Sequence, residues 1–95
     1  MTFHTALCVI DTRAAEHRTF AAIDTTRVHF RELDEQEIRR YVEREQPFDC
    51  AGSFKAEGLG IALFERIDSQ DPTALIGLPL IALCRLLRDA GIALI

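Results

Sequence analysis

The sequence has no stretch fit to cross a bilayer: its longest apolar run, residues 74–84, is broken by Gly77 and Pro79 and falls well short of the roughly 20 residues a spanning helix needs. The N-terminus lacks a basic segment followed by an apolar stretch and a small-residue cleavage site, which excludes a secretory signal and leaves a cytoplasmic location as the expectation. Cysteine is too sparse for a disulfide framework. Cys8, Cys50 and Cys84 are odd in number, far apart and without a Cys-x-x-Cys pair, which argues against a thiolate zinc site and fits a reducing compartment. Positive charge is also scarce, with 11 basic against 15 acidic side chains, a formal charge of −4 and no Lys/Arg-rich block. Duplex nucleic acid is therefore excluded as a partner, as is a membrane.

What remains is an ordinary globular composition, 48% hydrophobic and 27% charged. At 95 residues the chain makes one domain at most, and a chain this short buries only about 60% of its unfolded surface, so its stability margin is thin.

Residues 4–10 are apolar on both alternating faces, the pattern of a strand covered on both sides. After a polar turn from Asp11 to Arg18, Thr26, Val28 and Phe30 alternate with Arg27, His29 and Arg31, which predicts a half-exposed strand completing an antiparallel hairpin. Asp34 followed three positions later by Glu37 is a capping-box pattern, and Leu33, Ile38, Tyr41 and Val42 share one helical stripe, predicting a helix over 34–45. Pro47 stops it. Gly52, Gly58 and Gly60 then mark a loop, followed by an expected strand over 61–67 and a turn or short helix begun by Asp71-Pro72. A last helix opens near Pro79, buries Leu80, Leu83, Leu86, Leu87 and Ala90, turns Arg85, Arg88 and Asp89 to water, and ends at Gly91. The order describes a mixed α/β (α+β) unit. Its two-sided first strand needs partners, so the chain either dimerises or lacks a preceding half.

Of the candidates for chemistry, the loop from Gly52 to Gly60 stands out, because it gathers Ser53, Lys55 and Glu57 with backbone N–H groups that can hold phosphate while a carboxylate reads a base edge. It is not a P-loop, since no Gly-Lys-Ser/Thr follows, and a plain turn-rich connection is the competing reading. His4, Cys8 and His29 fit no zinc spacing. Glu65, Asp68 and Asp71 read as surface or capping carboxylates, and Cys50 as a small buried thiol with no histidine near it in sequence.

Three stretches together resemble the Maf family of nucleotide pyrophosphatases: Val28 to Leu33 running into Glu37 to Val42, then Cys50-Ala51-Gly52-Ser53-Phe54-Lys55-Ala56-Glu57-Gly58, then Ile76 to Leu80. The middle motif is specific: Ala-Gly, a small residue, an aromatic, two variable positions, then Gln or Glu before Gly. Glu rather than Gln at position 57 resembles the branch acting on 7-methylguanosine triphosphate. The resemblance implies an inosine-triphosphatase-like fold, a twisted mixed sheet flanked by helices with a cleft between two lobes. It implies hydrolysis of a nucleoside triphosphate to the monophosphate and pyrophosphate with a divalent cation, magnesium or manganese, and a base-reading role for Glu57, with Ser53 and Lys55 near the nucleotide. The family's upstream motifs, among them Ser-x-Ser-Pro-Arg-Arg and the one holding the catalytic aspartate, are missing from this sequence, and Asp11-Thr12 sits in a segment that resembles the region downstream of them. Asp11 is accordingly assigned no catalytic role. Residues 1–95 are expected to be a single partial domain, the C-terminal half of a truncated enzyme, or else a non-catalytic module that binds nucleotide, dimerises or pairs with the missing half.

Overall fold

A computed structural model describes residues 1–50 and 55–95. Two long strands, β1 (Thr2–Asp11) and β2 (Arg18–Phe30), are followed by helix α1 (Glu35–Glu45), a short 3₁₀ helix (Leu59–Leu63), strand β3 (Phe64–Asp68) and helix α2 (Leu80–Asp89). The strands form one antiparallel sheet in the order β1-β2-β3. The chain divides into two compact units, one of Met1–Thr2 with Arg27–Asp68 and the other of Phe3–Thr26 with Ser69–Ile95.

In the first unit, β3 pairs with the end of β2, placing Val28 opposite Ile67 and His29 opposite Arg66, with a register shift between His29 and Phe30. Val28 exchanges backbone hydrogen bonds with Met1 on its other side and is 1% exposed, a burial worth about 1.5–3 kcal/mol. Phe30 and Phe64 meet edge to face at 5.6 Å. The helix expected over 34–45 is present and begins as its sequence predicts. Asp34 accepts from the Glu37 N–H at 2.7 Å, and Glu37 returns the bond to the Asp34 N–H at 3.3 Å. Of the expected apolar stripe, Tyr41 is buried but Ile38 is 48% exposed. The helix closes on Gln46, whose N–H still reaches the Val42 carbonyl and whose left-handed backbone (φ 48°) turns the chain out of the helix before Pro47.

The second unit contains α2, Ala74, Leu86 and Ala90 at its core, and buried Thr26 and Asp71. Pro79 sits at the start of α2 with no hydrogen-bonding side chain of its own. Asp71 supplies the missing cap: one carboxylate oxygen accepts from the Ile81 N–H at 2.8 Å, while the other takes the Thr73 N–H at 2.8 Å and the Thr73 hydroxyl. The Thr73 hydroxyl in turn accepts the Leu80 N–H at 2.9 Å. These bonds, the Thr73 side chain foremost, hold the Asp71 pKa below the ordinary carboxylate value. Gly91, at φ 93°, ends α2 as expected, its N–H bonding the Arg88 carbonyl and the Ile92 N–H bonding Leu87.

Four expectations are corrected. The first strand is covered on one face only: Phe3, Thr5, Leu7 and Val9 are half-buried while Ala6, Cys8 and Ile10 are exposed. The second strand begins at Arg18 rather than Thr26, because Arg18 and Asp11 draw the polar turn into the end of the ladder. The strand predicted over 61–67 shortens to Phe64–Asp68, the preceding residues forming the 3₁₀ turn instead. Leu80 is 45% exposed, the buried members of the expected stripe being Leu86 and Ala90 further along the helix.

Candidate nucleotide-binding loop

Only part of the glycine loop is described. Ser53 lies outside the described residues, and the loop is followed here from Lys55 onward. From Lys55 the chain makes a tight turn closed by the Gly58 N–H on the Lys55 carbonyl at 3.2 Å. Glu57 therefore stands at the third position of the turn, on its crest. Its side chain and that of Lys55 are exposed, and among the described residues nothing hydrogen-bonds the Glu57 carboxylate.

The turn is fixed from beneath by α1. Tyr41 and Glu45 lie one helical turn apart on the same face. The Tyr41 hydroxyl accepts the Lys55 N–H at 2.7 Å, and a Glu45 carboxylate oxygen accepts the Leu59 N–H at 2.9 Å, so both ends of the segment carrying Glu57 are held. Desolvation raises the Tyr41 pKa above the ordinary tyrosine value, keeping the ring neutral. Gly60 completes the anchorage. It is buried, and a Cβ there would collide with the Lys55 carbonyl, which leaves glycine the only residue that fits. At Gly58 a Cβ would meet the Glu45 carboxylate, the same group that holds Leu59.

Beside this turn, Arg31, Glu37, Arg40, Tyr41, Arg44, Leu59, Ala62 and Leu63 line a shallow concavity of about 160 Å³. Arg31 is locked in place by the Ala62 carbonyl at 2.7 Å and Glu37 at 2.6 Å. The Arg31 guanidinium holds the Glu37 pKa below its ordinary value. The wall next to the loop thus carries three arginines, of which Arg31 is paired with Glu37.

The remaining carboxylates are engaged in structure. Asp11, 8% exposed at its side chain, receives Arg13 at 2.9 Å and Arg18 at 2.7 Å, and both guanidiniums also donate to the Ala90 carbonyl at the end of α2. These bonds push the Asp11 carboxyl well below the usual carboxylate range. A carboxylate so stabilised as the anion is a poor proton acceptor. Asp68 accepts from His29 at 2.8 Å, its pKa lowered chiefly by that bond. The three cysteines are free thiols, and among the described residues no group of three or more His, Cys, Asp or Glu side chains could hold a metal ion. Tyr41 and Glu45 are the site residues that sequence reasoning missed. Their i, i+4 spacing was visible, but their partners lie fourteen residues on.

Taken together, a mixed α/β chain presents a glutamate on a turn braced by a helix. The chain belongs to the Maf-like protein family, whose sequence profile matches residues 1–90. It is 58% identical over 89 residues to a 7-methyl-GTP pyrophosphatase of Xanthomonas oryzae pv. oryzae (strain MAFF 311018), a match that covers 94% of this chain and 45% of that protein. It is 54% identical over 95 residues to the 7-methyl-GTP pyrophosphatase of Vibrio cholerae serotype O1, covering 100% of this chain and 48% of that protein. A third relative so named, from Hahella chejuensis, is 52% identical over 97% of this chain and 45% of its own length. The chain spans about half the length of the curated relatives it matches.

Proposed function

We propose that this chain is the C-terminal, base-reading half of a Maf-like nucleoside triphosphate pyrophosphatase acting on 7-methyl-GTP. The observation that carries the reading is the braced turn: Glu57 is held on an exposed crest by Tyr41, Glu45 and Gly60, inside the motif by which the sequence resembles the 7-methylguanosine triphosphate branch. The relatives that are more than half identical to it bear the name of that activity.

Methylation at N7 makes guanine cationic. A carboxylate at Glu57 attracts that base, where a neutral amide would not. At about 4 Å such a pair is worth about 1 kcal/mol in a water-like setting and more once the base covers the turn. Ser53 and Lys55 precede Glu57 in sequence and are the accompanying nucleotide contacts in this reading. In the whole enzyme a water oxygen attacks the α-phosphorus while the bond to the β-phosphate breaks, giving the monophosphate and pyrophosphate. A divalent cation, magnesium or manganese, would neutralise the triphosphate there. Among the described residues of this chain no group of three or more His, Cys, Asp or Glu side chains stands together to hold it.

The test is pyrophosphate release from 7-methyl-GTP with magnesium or manganese, run on the chain alone and on the chain combined with the uncovered half of a relative. Turnover only in the combination supports the reading. Binding without turnover in both would favour a non-catalytic nucleotide-binding module. Turnover by the chain alone would contradict the reading.

A further inference from the structure

We infer that Phe48 is the platform on which the methylated base stacks, so that the cationic guanine is read by an aromatic face as well as by the Glu57 carboxylate. The inference rests on the proposed function and adds a specificity-determining residue to it. Among the described residues Phe48 is the aromatic side chain most open to solvent, at 73%. Tyr41 is buried, and Phe30 and Phe64 pack on each other. A single exposed apolar side chain is ordinary, but the backbone beneath this one is not. Gln46 is left-handed, the only non-glycine residue with a positive φ among those described, and the side chain of Pro47 is fully buried. The Phe48 N–H donates to the Gln46 carbonyl at 2.9 Å, and the Cys50 N–H to the Pro47 carbonyl at 3.3 Å. A strained residue, a proline locked in φ and two short-range bonds make a stiff corner that holds a ring in water. Burial, the usual reason to fix a phenylalanine, is not what this corner achieves.

The corner adjoins the braced turn within the first unit. Glu45, next to Gln46, accepts the Leu59 N–H at 2.9 Å, and a Cβ at Gly58 would meet the same carboxylate. Phe48 and Glu57 therefore reach one anchor from its two sides, Phe48 just after Glu45 in the chain and Glu57 just before Gly58 and Leu59. The two side chains read different properties. A carboxylate accepts from the N–H edge of guanine whether or not the base is methylated. Any base stacks on an aromatic face, and a cationic one gains the attraction of the ring's quadrupole in addition. A flat cation that also carries N–H donors satisfies both.

The chain contains no tryptophan, so Phe48→Trp places a single indole at the proposed platform. Titration with 7-methyl-GTP is expected to quench its fluorescence, and more strongly than GTP does at equal occupancy. Phe48→Leu keeps an apolar side chain and removes the π face. In equilibrium binding it is expected to lose about fivefold of the preference for 7-methyl-GTP over GTP, the scale of a cation–π contact, while Phe48→Tyr retains the preference. Circular dichroism of all three variants should match the parent, since the side chain is exposed. The inference is overturned if 7-methyl-GTP binds the Phe48→Trp chain without quenching, or if Phe48→Leu keeps the parent's preference. Either result leaves Glu57 as the base-reading residue. Unfolding of Phe48→Leu would make the ring structural and overturn the inference equally. A parent chain with no preference for the methylated nucleotide overturns the inference and the proposed function together.

Discussion

The Tyr41 hydroxyl accepts the Lys55 N–H at 2.7 Å, tying helix α1 to the turn that carries Glu57. Tyr41 is 7% exposed, so the bond is sheltered and its loss leaves an N–H to be resolvated. Tyr41→Phe keeps the ring's packing and removes only this bond. It should cost about 1 kcal/mol in denaturant unfolding, and the Lys55 amide should exchange faster with solvent than in the parent.

Gly60→Ala tests the backbone contact. The added methyl has to displace the Lys55 carbonyl, which is main chain and cannot swing aside. A destabilisation of about 1–3 kcal/mol is expected, measured as a shift of the denaturation midpoint. Gly58→Ala meets a flexible carboxylate instead and should cost less.

Asp71 caps α2 from a distance. Asp71→Ala strips the Ile81 N–H and Thr73 of their acceptors in a buried setting, and should cost about 2 kcal/mol, the upper end of capping effects. Asp71→Asn retains one acceptor oxygen and should fall between parent and alanine.

Acid should destabilise the chain in a defined window. The Asp11, Asp71, Glu37 and Asp68 pKa values are all depressed in the folded state. Each of these groups therefore adds stability that is fully present above its unfolded value, about 4, and is lost as pH falls below it. Denaturant midpoints should be flat toward neutral pH and decline below about pH 4. Asp11→Asn should flatten that decline, since its two arginine partners make Asp11 the most strongly depressed.

How much of this was legible in the sequence follows the range of each interaction. The capping box of Asp34 and Glu37 and the stop at Gly91 depend on residues within one turn, and both were readable. The start of β2 was not, because residues 18–25 carry alanines and polar side chains whose strand character comes from pairing with β1. The 3₁₀ turn before β3 is not visible in the sequence because residues 61–64 are apolar and lead into a segment that can form a strand, while the contact of Gly60 with the Lys55 carbonyl is invisible to periodicity. For the site, the motif around Glu57 was plain, and its bracing by Tyr41 and Glu45 was not. Tyr41 counted as core, and nothing local shows that its hydroxyl reaches the loop.

The most direct measurement is equilibrium binding of 7-methyl-GTP and GTP to the chain and to Glu57→Gln. The account predicts that the parent prefers the methylated nucleotide and that the variant loses at least about fivefold of that preference, the equivalent of about 1 kcal/mol, with unchanged fold stability. An unaltered ratio in Glu57→Gln, or no preference in the parent, would contradict the assignment of base recognition to this turn.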